Sequence, residues 1–249
     1  MLIHKKSIMR IVYSKMLPVR VSGILLLLLA FLLIAPAAKS QVVNESAKKK
    51  FNIGFGMFDD LVMNAPSDIK IRTIDQGVNV FALYNLPFGK SNFSFSIGLG
   101  LSAHNIYGNF TVNTNKSGDT TKLVKIPDGV SFKRSKITVV YLEIPLEFNL
   151  KTKSDVKITL GGKVGYLIGS HAKYVGDIAD SNYMFNTGTK IRIKQVGVPN
   201  LQQFSYGPTI RIGYKWIAVN CQYMLSTLFA KDHGPDMTLI SVGLVLVPF

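Results

Sequence analysis

The chain has 249 residues, 47% of them hydrophobic and 17% charged, with 29 Lys+Arg against 14 Asp+Glu and a net charge of +15. The single cysteine, Cys221, excludes an internal disulfide framework, and its place inside an alternating apolar stretch reads as an inert filler rather than a reactive thiol. A basic chain invites a nucleic-acid partner, but the first residues argue for export, and an exported chain meets anionic lipid and lipopolysaccharide instead.

Residues 1–22 carry Lys5, Lys6, Arg10, Lys15 and Arg20 and no acid. The apolar run 23–35 (GILLLLLAFLLIA) follows, shorter than the ~20 residues a spanning helix needs. APAAKSQ then places Ala38 and Ser40 at the −3 and −1 positions of a cut before Gln41. Met9 or Met16 as the start gives a more ordinary basic region. The alternative keeps residues 21–38 as an uncleaved anchor, and the lack of another helical apolar run downstream favours cleavage. No cysteine sits at the junction, against lipoprotein processing. Removing residues 1–40 takes away six of the basic residues and no acid, leaving 23 against 14, a net of +9.

Downstream the period is two. Strand-like segments cover residues 51–58, 78–86, 92–103, 136–150, 156–169, 204–215, 216–227 and 237–249. Most approach the ~9–11 residues of a tilted bilayer-crossing strand, the first two being the least regular. The connections alternate in length. Long ones fall at 59–77, 104–135, 170–203 and 228–236, short ones at 87–91 and 151–155, with a tight turn at 214–216. Outer-membrane barrels have short periplasmic turns and long outer loops. The expected organisation is a signal peptide at 1–40, a short periplasmic segment at 41–50, and an all-β, eight-stranded antiparallel up-and-down transmembrane barrel at 51–249.

The faces agree. In the third segment Phe93, Phe95, Ile97, Leu99 and Leu101 alternate with Ser94, Ser96, Gly98, Gly100 and Ser102. In the fourth, Val140, Leu142, Ile144, Leu146 and Phe148 alternate with Tyr141, Glu143, Pro145, Glu147 and Asn149. In the sixth, Tyr206, Ile210, Ile212 and Tyr214 alternate with Gly207, Thr209, Arg211 and Gly213. Alternation alone suits a soluble sheet as well. Charged residues and glycines gathered on one face decide the matter, because they would leave a soluble core hollow and charged. Tyr84, Tyr166, Tyr214, Trp216 and Tyr223 read either as interfacial girdles or as plain strand composition. The last segment is apolar on both faces, so its phase stays open, and Pro248 marks a bulge or the end of pairing.

YLEIPLEFNLKT (141–152), GGKVGYLIG (161–169) and FSYGPTIRIGYKW (204–216), followed by QYMLSTL and GPDMTLISVGL, resemble the small PorT-like outer-membrane β-barrel proteins of Bacteroidetes. The resemblance covers nearly all of the mature chain and is strongest after Lys136. It implies an integral barrel, and by analogy with the family's founding member a link to type IX protein secretion and gliding motility. The ending around Pro248 departs from the family's usual aromatic-terminated one.

An eight-strand barrel is filled by its own side chains. Pairing the fourth and fifth segments through the turn at 151–154 sets Glu143 opposite or diagonal to Lys163, with Glu147 near Lys157 and Arg211 also inward. The expectation is a structural lumenal network of Glu143, Glu147, Lys163 and Arg211, mutually neutralised because an unpaired charge there is costly. Acid–base catalysis by the two carboxylates is the sharper alternative. His104, His171 and His233 fall at or past the outer ends of segments three, five and seven, next to Ser170 and Asp232. They suggest an outer-rim metal or hydrolase site, but their spacing matches no zinc signature. No helix follows Gly161-Gly162, so they are not a phosphate loop and rather ease strand packing.

No catalytic, cofactor or metal site is therefore expected. The loops at 104–135 and 170–203, the latter mixing Tyr174, Tyr183, Met184 and Phe185 with Lys173, Lys190, Arg192 and Lys194, form the expected working surface. They suit an anionic glycan, lipid or partner protein, and equally read as strand extensions, KIRIK (190–194) alternating in the β manner. The expected protein is a non-enzymatic scaffold or binding barrel in secretion or envelope maintenance, in contact with outer-membrane lipid and an envelope or secretion-machinery partner, and not with nucleic acid. The alternatives are a lipid- or peptide-modifying enzyme and a small-solute channel.

Overall fold

The computed structural model describes residues 50–114, 118–177 and 190–247, all within one compact unit, Glu45–Phe249. The expected signal peptide at 1–40, the expected bulge or end of pairing at Pro248 and the aromatic run 183–185 lie outside the described residues. The strands are β1 (Phe51–Met63), β2 (Gln76–Pro87), β3 (Phe93–Tyr107), β4 (Phe110–Thr114), β5 (Thr121–Lys125), β6 (Phe132–Lys151), β7 (Val156–Gly176), β8 (Ile191–Val196), β9 (Phe204–Tyr214), β10 (Ile217–Tyr223) and β11 (Thr238–Leu246). Eight of them close a barrel in the order β1, β2, β3, β6, β7, β9, β10, β11, and β11 returns to pair with β1. Every pairing is antiparallel. The expected eight-stranded fold is what the chain adopts.

Short connections gather at one end, the tightest being the two-residue turn that joins Tyr214 to Ile217, where Lys215 takes a left-handed φ of 53°. The long connections gather at the other end. There the strands run further than their apolar pattern predicts. β1 continues to Met63, β6 starts at Phe132, and β7 ends at Gly176. In β6 and β7 these extensions lie past the regular outward apolar residues, so the oily alternation that marks a membrane strand is missing from them while ladder pairing continues. In β1, by contrast, Leu61 and Met63 still point outward, and Asp59 and Asp60 interrupt the pattern. The fold also adds two pieces to the outer connections, the β4–β5 hairpin and β8, which pairs with the outer stretch of β7.

Apolar side chains point away from the barrel axis. Leu99 and Phe148 are each 60% exposed, whereas Glu147, beside Phe148 in sequence, is fully buried. β11 resolves its ambiguous phase the same way, with Val242, Leu244 and Leu246 outside and Leu239, Ser241 and Val245 inside. β2 departs from the rule, since Phe81 and Leu83 face inward and pack on Ala218 and Val245. A β-bulge in β7 reverses phase. Val140 pairs with Gly169 but Tyr141 with Leu167, leaving Ile168 extra. Below it Thr159 and Lys163 are inside, and above it Tyr174 is. Aromatic pairs flank the apolar band, Phe51 with Tyr84 (ring centroids 5.0 Å) on the short-turn side and Tyr166 with Phe204 (5.4 Å) on the other.

The outer mouth is plugged. Ile106, Ile137, Val139 and Leu239 from the wall meet Ile69, Phe110, Leu123, Val198, Leu201, Leu228 and Phe229 from the outer connections in one buried cluster. Each such side chain contributes about 1.5–3 kcal/mol when fully buried. Backbone bonds stitch the loops together, including Asn109 N–H to the Lys70 carbonyl (3.1 Å), Thr121 N–H to the His233 carbonyl (2.8 Å) and Ala230 N–H to the Asn200 carbonyl (2.8 Å).

Candidate functional site

Below the plug the lumen is filled by polar layers. Nearest the short turns, Asn149 Nδ2 donates to Ser96 Oγ (2.7 Å), Ser96 Oγ to Asn85 Oδ1 (2.5 Å), and Thr159 Oγ1 to Asn149 Oδ1 (2.7 Å). The next layer holds Arg211, whose Nη2 lies 2.7 Å from Glu147 Oε1 and whose guanidinium sits 4.9 Å from the Phe81 ring centre. Glu147 forms its ion pair with Arg211 of β9, while Lys157 feels the same carboxylate from beyond ion-pair distance. The reason is in the register. Gly161 stands opposite Glu147 and Thr159 opposite Arg211, so the arginine reaches across a position without a side chain. A Cβ at Gly161 would collide with the Leu146 carbonyl and press on Glu147 at 3.2 Å.

One layer further out, Lys163 Nζ donates to Glu143 Oε2 and Gln222 Oε1, both at 3.1 Å, and Ser102 Oγ donates to the same Glu143 oxygen at 2.6 Å. Lys163 lies diagonal to Glu143, whose direct neighbours are Gly165 and Gly100. Glycines beside each carboxylate leave a narrow lumen room for long charged side chains. All four network residues are buried.

The outermost polar layer holds a group that the sequence pattern misplaces. His104 is not on the outer rim. β3 runs to Tyr107, so His104 faces the lumen, fully buried, with Nδ1 3.0 Å from Asp60 Oδ2. Ser241 Oγ donates to Asp60 Oδ1 (2.5 Å), and the His104 ring packs between Phe58 (4.9 Å) and Tyr141 (5.9 Å). Serine, aspartate and histidine are all present, but the hydroxyl binds the carboxylate and not the imidazole, which is not how a histidine base activates a nucleophile. His171 and His233 lie elsewhere. His171 pairs with Thr138 and Val196 in the ledge described below, and exposed His233 has Nδ1 2.5 Å from the Asp119 carbonyl. Among the described residues no three or more His, Cys, Asp or Glu converge as a metal site requires. Just above His104, outside the membrane-spanning part, burial pushes the Asp75 carboxyl up to about 7. The Tyr107 N–H (3.1 Å) opposes the rise, and Asp60 and Asp59 reinforce it.

The strands that overshoot the membrane form a ledge of β6, β7 and β8. Register places Lys136, Lys173 and Lys194 side by side on it, with Arg134 and Arg192 flanking Val175 in the next row. Like charges directly opposite on a sheet are destabilising. Lys136 is partly relieved by Asn105 Oδ1 (2.5 Å) and by the Tyr107 ring (5.3 Å). A cleft of about 310 Å³ lies beside the ledge, lined among others by Val112, Tyr174, Ile191 and Ile193. The alternating KIRIK stretch was the one signal in the sequence for this surface.

A closed sheet with an oily exterior, an ionic interior and aromatic belts is a transmembrane β-barrel. The chain belongs to the family described as outer membrane protein beta-barrel domain, which matches it over residues 45–226, and its place is the outer membrane. Among solved structures it is similar to Ail, the attachment invasion locus protein of Yersinia pestis, in complex with the heparin analogue sucrose octasulfate (12% identity, TM-score 0.38). It is also similar to Ail alone (13%, TM-score 0.37), each comparison covering 80% of this chain and 96% of that chain. No curated protein matches.

Proposed function

We propose that this protein is a non-enzymatic outer-membrane barrel, exported by cleavage of residues 1–40, that holds an anionic partner of the envelope on its outer ledge. The carrying observation is the row of Lys136, Lys173 and Lys194, three cations set in one rung of a three-strand sheet. A fold that keeps such a self-repelling row gains from it when an opposing charge docks. The plugged lumen supports a role at the surface over one as a conduit, and the Ser241–Asp60–His104 geometry supports the non-enzymatic reading. The likeness of residues 141–152, 161–169 and 204–216 to PorT-like barrels of Bacteroidetes supports a place in protein secretion or envelope maintenance.

Affinity purification from native membranes tests this reading. The wild-type protein should retain an acidic envelope protein or anionic lipid that a Lys173→Glu/Lys194→Glu variant releases. Retention of the same partners by both forms, or recovery of barrel-assembly machinery alone, contradicts it.

A further inference from the structure

The inner mouth, on the short-turn side, is the reverse of the plugged outer one. It is an open vestibule of about 1260 Å³. We propose that this vestibule is a binding site for a soluble polyanion carrying phosphate or carboxylate groups on the periplasmic side. Its lining holds Lys50, Lys151, Lys153, Lys157, Lys215 and Arg211 against one acid, Asp155. That acid is already paired with Lys151 at 3.2 Å, and Arg211 is held by Glu147. Four lysines therefore line the cavity with no carboxylate within ion-pair distance among the described residues.

Lys157 distinguishes a site from a basic rim that greets lipid headgroups. It shares the inward phase of Thr159 and Lys163 on β7, so its ammonium is directed to the barrel axis, where lipid does not reach. It is partly buried and forms no hydrogen bond or close ion pair among the described residues; Glu147 acts on it only from a distance, against the like charges of Arg211 and Lys151. Withdrawing an ammonium from water without a partner is costly. At the cavity's floor, Arg211 is 6% exposed and its Nε has no acceptor among the described residues. Walls of low dielectric focus these like charges on the cavity's interior. The volume exceeds the 300–1,000 Å³ typical of small-molecule pockets, which fits a ligand with several charged groups better than a single ion.

The test uses a reporter already in place. Trp216 is the only tryptophan in the chain and lines the vestibule. Tripolyphosphate is titrated into the mature protein folded in zwitterionic detergent at low salt, and Trp216 emission is followed. A saturable change is expected, weakened at least ten-fold by Lys153→Ala/Lys157→Ala and unaffected by Lys173→Ala/Lys194→Ala on the outer ledge. Absence of a saturable change overturns the proposal. So does a response equal in the vestibule variant, or one abolished by the ledge variant. Should the vestibule variant fail to fold, the wild-type titration at raised salt decides, since a site made of lysines must weaken as salt rises and a salt-independent response contradicts it. Repeating the titration in phosphatidylcholine and phosphatidylglycerol nanodiscs separates the two sources of such chemistry. Equal affinity in both supports a soluble ligand, and competition by phosphatidylglycerol reassigns the cavity to lipid headgroups and refutes it.

Discussion

Replacing Glu143 by alanine isolates the energetics of the lumen. Glu143 is 2% exposed and accepts from Ser102 at 2.6 Å and Lys163 at 3.1 Å. Its loss leaves Lys163, itself 6% exposed, with Gln222 as its remaining acceptor. Breaking one side of a buried ion pair costs about 3–5 kcal/mol, most of it the penalty of a stranded ammonium. With a guanidinium m-value of about 4 kcal/mol/M, the unfolding midpoint in lipid vesicles should fall by roughly 1 M. The double variant Glu143→Met/Lys163→Met removes both charges and should recover most or all of the loss, because apolar replacement of a buried pair is often neutral or stabilising. The single variants Glu143→Met and Lys163→Met together with this double variant close a thermodynamic cycle. A Glu143→Ala protein that unfolds within about 0.2 M of wild type, or a double variant no better than the singles, refutes the reasoning.

Other consequences follow from the same geometry. Gly161→Ala should lower the unfolding midpoint and weaken the Glu147–Arg211 pair, because the added methyl meets the Leu146 backbone and Glu147; denaturant titration checks it. Asp75 should make stability pH-dependent. Its carboxyl is at about 7 when folded against an ordinary 3.8, so the folded state holds the extra proton between those values and stability falls as pH rises through that window. Asp75→Asn should flatten the slope, seen as midpoints measured from pH 4 to 8. In planar bilayers the wild-type barrel should give no steady conductance, since both the outer plug and the paired charge layers fill the lumen, and discrete openings at modest voltage would contradict that packing.

The membrane-crossing parts of the fold were legible because lipid and lumen impose opposite chemistry on alternate residues. In β6 the sequence from Val140 to Asn149 states its faces without help, and in β9 Arg211 among glycines does the same. Legibility ended where that contrast ended. Above the apolar band both faces of β6 and β7 carry polar and basic residues, so their outer stretches read as loops. The bulge at Ile168 reverses the phase of β7 with no local mark, and β11, apolar on both faces, takes its phase from β1 and β10. His104 was misplaced because a histidine just past an alternating run looks like a rim residue until its partner Asp60, 44 positions earlier, is brought beside it. The pairing of Arg211 with Glu147 across an intervening strand needed the register at Gly161, and the plug draws on Ile69, Phe110 and Leu228 from separate connections. Such contacts are non-local, and no periodicity encodes them.

Spin labels at single cysteines along residues 141–148 of β6, in a Cys221→Ser background in lipid vesicles, test the inside-out arrangement most directly. Labels at positions 142, 144, 146 and 148 should be relaxed by lipid-dissolved oxygen, and labels at 141, 143, 145 and 147 should be shielded from it. Uniform accessibility along the strand, or oxygen contact at 143 and 147 with water-soluble reagent reaching 144 and 146, would contradict a barrel that turns its oily face to lipid and its charges to the axis.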